Sequence, residues 1–359
     1  MTRTLQALTS MLGVAGFEDR IIRHMREAAS QHTRQVEVDP LGNVLAHLPA
    51  RRHDAPRVVV LAHMDEVGFV VRKVEHDGFV RLERIGGIPE KSASGAAVIA
   101  EPTSGERLFG VIGPKAHHLT AQDEKYRVVP IQQAYADFGF VDREEAAQAG
   151  VVVGTPVGYA RTFETRGEIV FSNALDDRGG CWALLEVLRR SADGGPPVDL
   201  WVVASVQEEF SLRGVVPAIR KIAPDYVLDI DVAVSTDTPD LAGITDVNLG
   251  GGPTAGVMSF HGRGTLAGLI PNPRLLDLVR QEAAAQGIPL QLNTFMGGLT
   301  ETSFLQLEQD GIPAIDLGFP CRYTHAPVEA AHLGDLSRLV ELILALLERL
   351  EERPSLARG

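Results

Sequence analysis

The run Val58-Val59-Val60-Leu61-Ala62 constrains the fold most, because consecutive apolar residues leave no polar face to turn toward water. Such a run reads as a strand buried on both faces, the setting of a central strand in an α/β sheet. The rest of the chain supplies the layers that would cover it. EIVFSNALDD leads into the helical GGCWALLEVLRRS, and LWVVASVQEE precedes a helix near 215–222. YVLDIDVAV, NPRLLDLVRQEAAAQG, AIDLGFP and a C-terminal helix over 333–352 continue the alternation. Strands alternating with helices predict an α/β fold with a mostly parallel sheet and helices on both faces. Ahead of this stand a helix, a turn at Gly13–Gly16, a second helix with Glu18 and Asp19 at its positive end, and a hairpin turning at Asp39-Pro40-Leu41-Gly42-Asn43.

Between 67 and 166 the texture changes. Short β-like runs (FVRLERIGG, AAVIAEP, RLFGVIG) alternate with Gly and Pro turns, and DREEAAQAG reads as a helix. This pattern predicts a small β-rich domain over 67–166, inserted into a larger discontinuous domain formed by 1–66 and 167–359. A length of 359 residues accommodates either one large domain or two.

The formal net charge is −13 without a like-charge tail, which argues against nucleic acid or an anionic membrane as the main partner. Two cysteines, Cys181 and Cys321, cannot organise a disulfide framework and fit a reducing compartment. The N-terminal stretch lacks the apolar core of a signal peptide, and no apolar run approaches the roughly 20 residues of a membrane span. The expectation is a soluble cytoplasmic protein.

In open α/β sheets ligands sit beyond the carboxyl ends of the strands. His63 and Asp65 follow the first central strand, Asp176 and Asp177 follow EIVFSNAL, Glu208 and Glu209 follow LWVVASVQ, Asp231 ends YVLDI, and His325 follows AIDLGFPCRYT. Taken singly, each is an ordinary cap or turn residue; Asp176-Asp177 would cap the next helix well. Agreement at five strand ends argues against accident. Carboxylates gathered so closely repel one another unless cations intervene. Imidazoles mixed with carboxylates suit zinc, cobalt or manganese, and the donors suffice for two ions sharing a bridge. His117 and His118 in the insert, and His261 in a Gly-rich loop, are read as lying outside this set.

HMDEVGF, NALDDRGG, VQEEFSLRG, DIDVAVSTDTP and RYTHAPVE, in this order, resemble the motifs of the glutamyl/leucyl aminopeptidase family, which includes the tetrahedral (TET) self-compartmentalising aminopeptidases. The resemblance extends over nearly the whole chain, with GVIGPKAHHL and DFGFVDREEAAQAGVVVGTPV inside the insert. It implies a metal-dependent aminopeptidase acting on short peptides with a free N-terminus. It further implies His63 and Asp231 as terminal ligands of one divalent ion, Glu209 and His325 of a second, and Asp176 as the bridge. Glu208 would be the general base taking a proton from a water between the ions. Asp65 would orient the His63 ring, Asp177 would hold the bridging residue, and a cis peptide would join the two aspartates. The insert would serve oligomerisation, with dimers assembling into a dodecamer.

Two segments depart from the family pattern. Gly297-Gly298-Leu299-Thr300-Glu301-Thr302 stands where many relatives carry Gly-Thr-Asp, and SFHGRGTLAGLIPNP replaces a Gly-Pro-rich basic stretch. Both are expected near the substrate pocket, where Glu301 would either select a basic N-terminal residue or be structural. Two other readings compete: a di-metal amide hydrolase acting on acylated amino acids, and a non-catalytic metal-stabilised scaffold. A purely structural site has no use for the spare carboxylate of Glu208. Glycoside cleavage would need a carboxylate pair free of metal.

Overall fold

The strand Arg57–His63 lies inside a twelve-stranded sheet in a computed structural model that describes residues 1–262 and 266–358. Val58, Val60 and Ala62 pack on one side, while Val59 and Leu61 pack on the other. The period-2 alternation of a strand thus sends one apolar run into two separate cores. The helices Leu175–Ala192 and Leu333–Leu350 cover the first face, and Val216–Ile222 covers the second.

Along its main path the sheet runs Gln35–Val38, Val44–Leu48, Asp199–Ser205, Arg57–His63, Tyr226–Val234, Ala314–Arg322, Glu329–His332, Ile169–Ser172 and Phe163–Arg166. Thr254–Phe260 pairs with Ala314–Arg322 off this path, together with Gly268–Leu269 and Gln291–Met296. The sheet is mixed. Parallel pairing joins the four central strands from Asp199–Ser205 to Ala314–Arg322, and antiparallel hairpins close both flanks. Short turns such as the one at Asp39 permit only antiparallel neighbours. There Asp39 Oδ1 accepts the N–H groups of Leu41, Gly42 and Asn43 at 2.9–3.0 Å.

The strands Gly68–Val74, Val80–Ile85, Ala136–Asp137, Leu108–Ile112, Ala97–Ala100 and Pro156–Tyr159 close into a barrel with its own apolar core. Phe163–Arg166, which the sequence reading placed in the insert, instead pairs with Ile169–Ser172 at the edge of the large sheet. The Gly167 turn, with φ of +60°, makes that hairpin possible.

The two bodies are joined by buried charge. Arg161, just after the last barrel strand, donates to both oxygens of Glu66 at 2.6 and 2.7 Å. Arg178, fully buried near the start of the helix Leu175–Ala192, lies 3.5 Å from the same carboxylate and donates to the Leu8 carbonyl at 2.6 Å. Burial opposes ionisation of Glu66, yet the two guanidinium groups hold its carboxyl below the ordinary range. Among the described residues no helix is long and apolar enough to cross a membrane.

Candidate metal centre

The parallel strands all present their carboxyl ends to one edge, and the acidic and imidazole side chains converge there. His63 ends its strand opposite Ser205, so Glu208 and Glu209, three and four residues further on, emerge beside it. Asp231 lies within Tyr226–Val234, paired with Gly318 of the strand that leads to His325. Asp176 and Asp177 open the helix Leu175–Ala192 with non-helical dihedrals, and the peptide bond between them is cis. Gly179 and Gly180 follow because nothing larger fits. A Cβ on Gly180 would stand 2.1 Å from Asp177 Oδ2, and one on Gly179 would stand 2.4 Å from the Phe319 ring.

Asp176 is at the centre. His63 Nε2 lies 3.1 Å from its Oδ1, and His325 Nε2 lies 3.3 Å from its Oδ2. Glu209 Oε1 is 3.2 Å from His325 Nε2. Donor atoms of His63, Asp176 and Asp231 lie within 4.8 Å of one another, as do those of Asp176, Glu209 and His325. These two groups share only Asp176. His63, Glu208 and Glu209 form a third such group.

The remaining acids serve the backbone. Asp65, the expected partner of the His63 ring, lies 3.6 Å from Nδ1, beyond hydrogen-bond reach, and that nitrogen has no hydrogen-bond partner. Its two oxygens instead accept the N–H groups of Glu208 and Glu209, each at 3.0 Å. Asn43 Oδ1 accepts the Val206 N–H and Glu18 Oε1 the Gln207 N–H, both at 3.1 Å. Four successive amides, 206 to 209, are therefore held by side-chain acceptors. Glu329, to which the sequence reading gave no role, accepts the Asp176 N–H at 3.0 Å and the His325 N–H at 2.8 Å. Asp177 Oδ1 accepts the Gly180 N–H at 2.9 Å, as a helix cap does.

This crowding moves the proton affinities. Burial pushes Glu208 and Asp231 well above the carboxylate range, and neighbouring acids push them further. Burial would raise Asp176 as well, but His325 and His63 against its oxygens hold it below the usual value. Burial works against a charge on His63 and His325, and the surrounding carboxylates outweigh it, so both rings are raised well above an ordinary imidazole. Burial and the Asp176 charge lift Glu329 to about 8.

A cleft of about 830 Å³ opens over Asp176, Glu208, Glu209, Asp231 and His325. Gly297, Gly298, Leu299, Thr300 and His261 line it, so both departing segments reach it. Residues 263–265 of the second segment lie outside the described residues. Glu301 does not line the cleft: it is buried, its Oε2 accepts from Ser205 Oγ at 2.6 Å, and burial lifts it to about 8. Of its two expected roles, this is the structural one. His117 and His118 are exposed on a short 3-10 turn and belong to none of the three donor groups.

Comparison with known proteins gives a consistent picture. A sequence model described as M42 glutamyl aminopeptidase matches residues 42–342. The chain is 40% identical over 344 residues to SgcX of Escherichia coli strain K12, which carries an aminopeptidase name, across 96% of this chain and 92% of that one. An aminopeptidase from the archaeon Desulfurococcus kamchatkensis superposes with a TM-score of 0.90 at 30% identity, covering 97% of this chain and 94% of that one. The TET1 peptidase of Pyrococcus horikoshii, described as assembling into a tetrahedron or a large octahedral shell, gives 0.83 at 29% identity, covering 96% and 98%.

Proposed function

The chain belongs to the M42 glutamyl aminopeptidase family and is an aminopeptidase; from that premise we propose that it works through two divalent ions sharing Asp176. The observation that carries this reading is the pair of three-residue donor groups with Asp176 in common. The donors fit such ions. They combine two imidazoles with carboxylates that burial and mutual repulsion make hard to ionise without nearby positive charge. His63 and Asp231 would hold one ion, Glu209 and His325 the other. The chemistry such ions supply when bound is Lewis acidity, which polarises a carbonyl and makes a water more acidic.

The protein's own part is positional and acid–base. Assigning Glu209 to an ion leaves Glu208 unspent, and its carboxylate accepts the proton of the attacking water and returns it to the leaving amine. Asp65 holds the amides of both glutamates, so the base and its neighbouring ligand are fixed by one carboxylate. The substrate's free α-amine would bind at one of the two ion sites, which would restrict cleavage to the N-terminal residue of a short peptide. We assign assembly to the barrel, which exposes Phe109, Leu119, Tyr126 and Val153, and expect a homo-oligomer of dimers reaching a dodecamer. A cytoplasmic location accords with the free thiols of Cys181 and Cys321, both buried.

The deciding experiment strips the protein of metal and reloads it with zinc, cobalt or manganese before exposure to free and N-acetylated short peptides. Metal-restored release of N-terminal residues from the free peptides alone supports the reading. Equal cleavage of the acetylated set would refute the role of the α-amine.

A further inference from the structure

Glu329 is an acid of this centre that belongs to none of the donor groups and has no part in the proposed chemistry. It stands at the head of the strand Glu329–His332, which lies between the strand leading to Asp176 and the strand leading to His325. The register sets Glu329 opposite Ser172 and Ala331 opposite Cys321, so its side chain falls between the two chain segments that leave the sheet. Oε2 accepts the Asp176 N–H at 3.0 Å and Oε1 accepts the His325 N–H at 2.8 Å. The side chains of those two residues meet at 3.3 Å. The other end of His325 is also held, since Nδ1 lies 3.2 Å from the Gly87 carbonyl.

We propose that Glu329 is a positioning residue that fixes the Asp176–His325 pair and thereby sets affinity for the ion on the His325 side. The proposal rests on the two-ion reading above. Its chemistry requires a carboxylate: two backbone donors approach two separate oxygens, and an amide at 329 has one acceptor and turns its NH₂ toward the other N–H. The effect is asymmetric. On the His325 side two of three donors, Asp176 and His325, take their backbone position from Glu329. On the His63 side only Asp176 does, while His63 and Asp231 are set by the central strands.

The test is a calorimetric zinc titration of the metal-free full-length protein, with bound zinc counted by mass spectrometry. Wild type is expected to show two binding classes, with His325→Ala removing one and His63→Ala the other. Glu329→Gln should weaken the class that His325→Ala removes by about 10- to 100-fold, the scale of losing a group that orients a ligand, and the other class far less. The combined Glu329→Gln/His325→Ala protein should bind its remaining ion like His325→Ala alone, because the two changes act on one pair. Excess zinc should restore kcat in Glu329→Gln with KM nearly unchanged, which a general loss of structure would not allow. Equal weakening of both classes, or unchanged zinc binding, would overturn the proposal. If Glu329→Gln does not fold, Glu329→Asp, which keeps two oxygens on a shorter arm, carries the same expectation in weaker form. A wild-type protein with a single class would instead defeat the two-ion reading, and the proposal with it.

Discussion

The barrel and the carboxyl edge of the sheet handle charge in opposite ways. The barrel buries Phe69, Leu82, Val98 and Val157 and leaves ions outside, as in the exposed Lys115–Glu124 pair at 2.6 Å. The sheet edge buries Asp65, Asp176, Asp177, Glu208 and Glu329 together. Taking charges out of water is costly unless each finds donors or a counter-ion, so a fold selected for stability alone would not gather them. The contrast separates what holds the molecule together from what it does.

The sharpest way to break that contrast is Glu208→Gln. Turnover should fall by about 10²–10⁴-fold, the range of a lost acid–base catalyst, with metal content and thermal midpoint unchanged. A near-normal rate would remove Glu208 from the chemistry. Phe69→Ala should do the reverse. Phe69 is fully buried and packs edge-on to Tyr159 at 5.8 Å, so its truncation should cost about 3–5 kcal/mol in denaturant unfolding while metal stoichiometry is kept. Metal lost in step with stability would show that the two regions are not separable.

A smaller effect tests the boundary between them. Burial and the Asp65 charge lift Glu18 to about 7 from an ordinary 4.5, so the folded state binds its proton more tightly than the unfolded chain does. The stability this contributes is full below about 4.5 and is lost as pH rises through about 7, on the order of 3 kcal/mol at most. Glu18→Gln should flatten that part of the stability–pH curve, and an unchanged curve would assign the slope elsewhere. Smallest of all, Lys115→Ala should leave the melting temperature within about 1 °C, because an exposed pair is screened by water.

The strand-end residues were legible in the sequence because an apolar run announces its own end, and the residue after it has a known place in an α/β sheet. Asp176, Glu209, Asp231, His63 and His325 converge for that reason. The groups that the supporting acids hold were not legible, although Asp65 and Asp177 themselves were singled out. Asp65 reaches amides 143 and 144 positions away, Glu329 one that is 153 away, and Glu18 one that is 189 away. A backbone N–H is the same at every residue, so it leaves no mark in the sequence that an acid elsewhere will need it. The resemblance to a family carried Glu329 inside RYTHAPVE without giving it a task. The sheet flanks show the same gap: whether Phe163–Arg166 joins the barrel or the sheet depends on a partner chosen in three dimensions.

The Gly87 carbonyl makes one further point. It belongs to the segment just after the barrel strand Val80–Ile85, yet it lies against Nδ1 of His325, where a Cβ on Gly87 would come within 3.0 Å of the ring. That carbonyl accepts a hydrogen bond from Nδ1–H, which leaves Nε2, facing Asp176 and Glu209, as the nitrogen that would take an ion. Were an ion held at Nε2, its binding and the barrel's contact with this ring would favour each other.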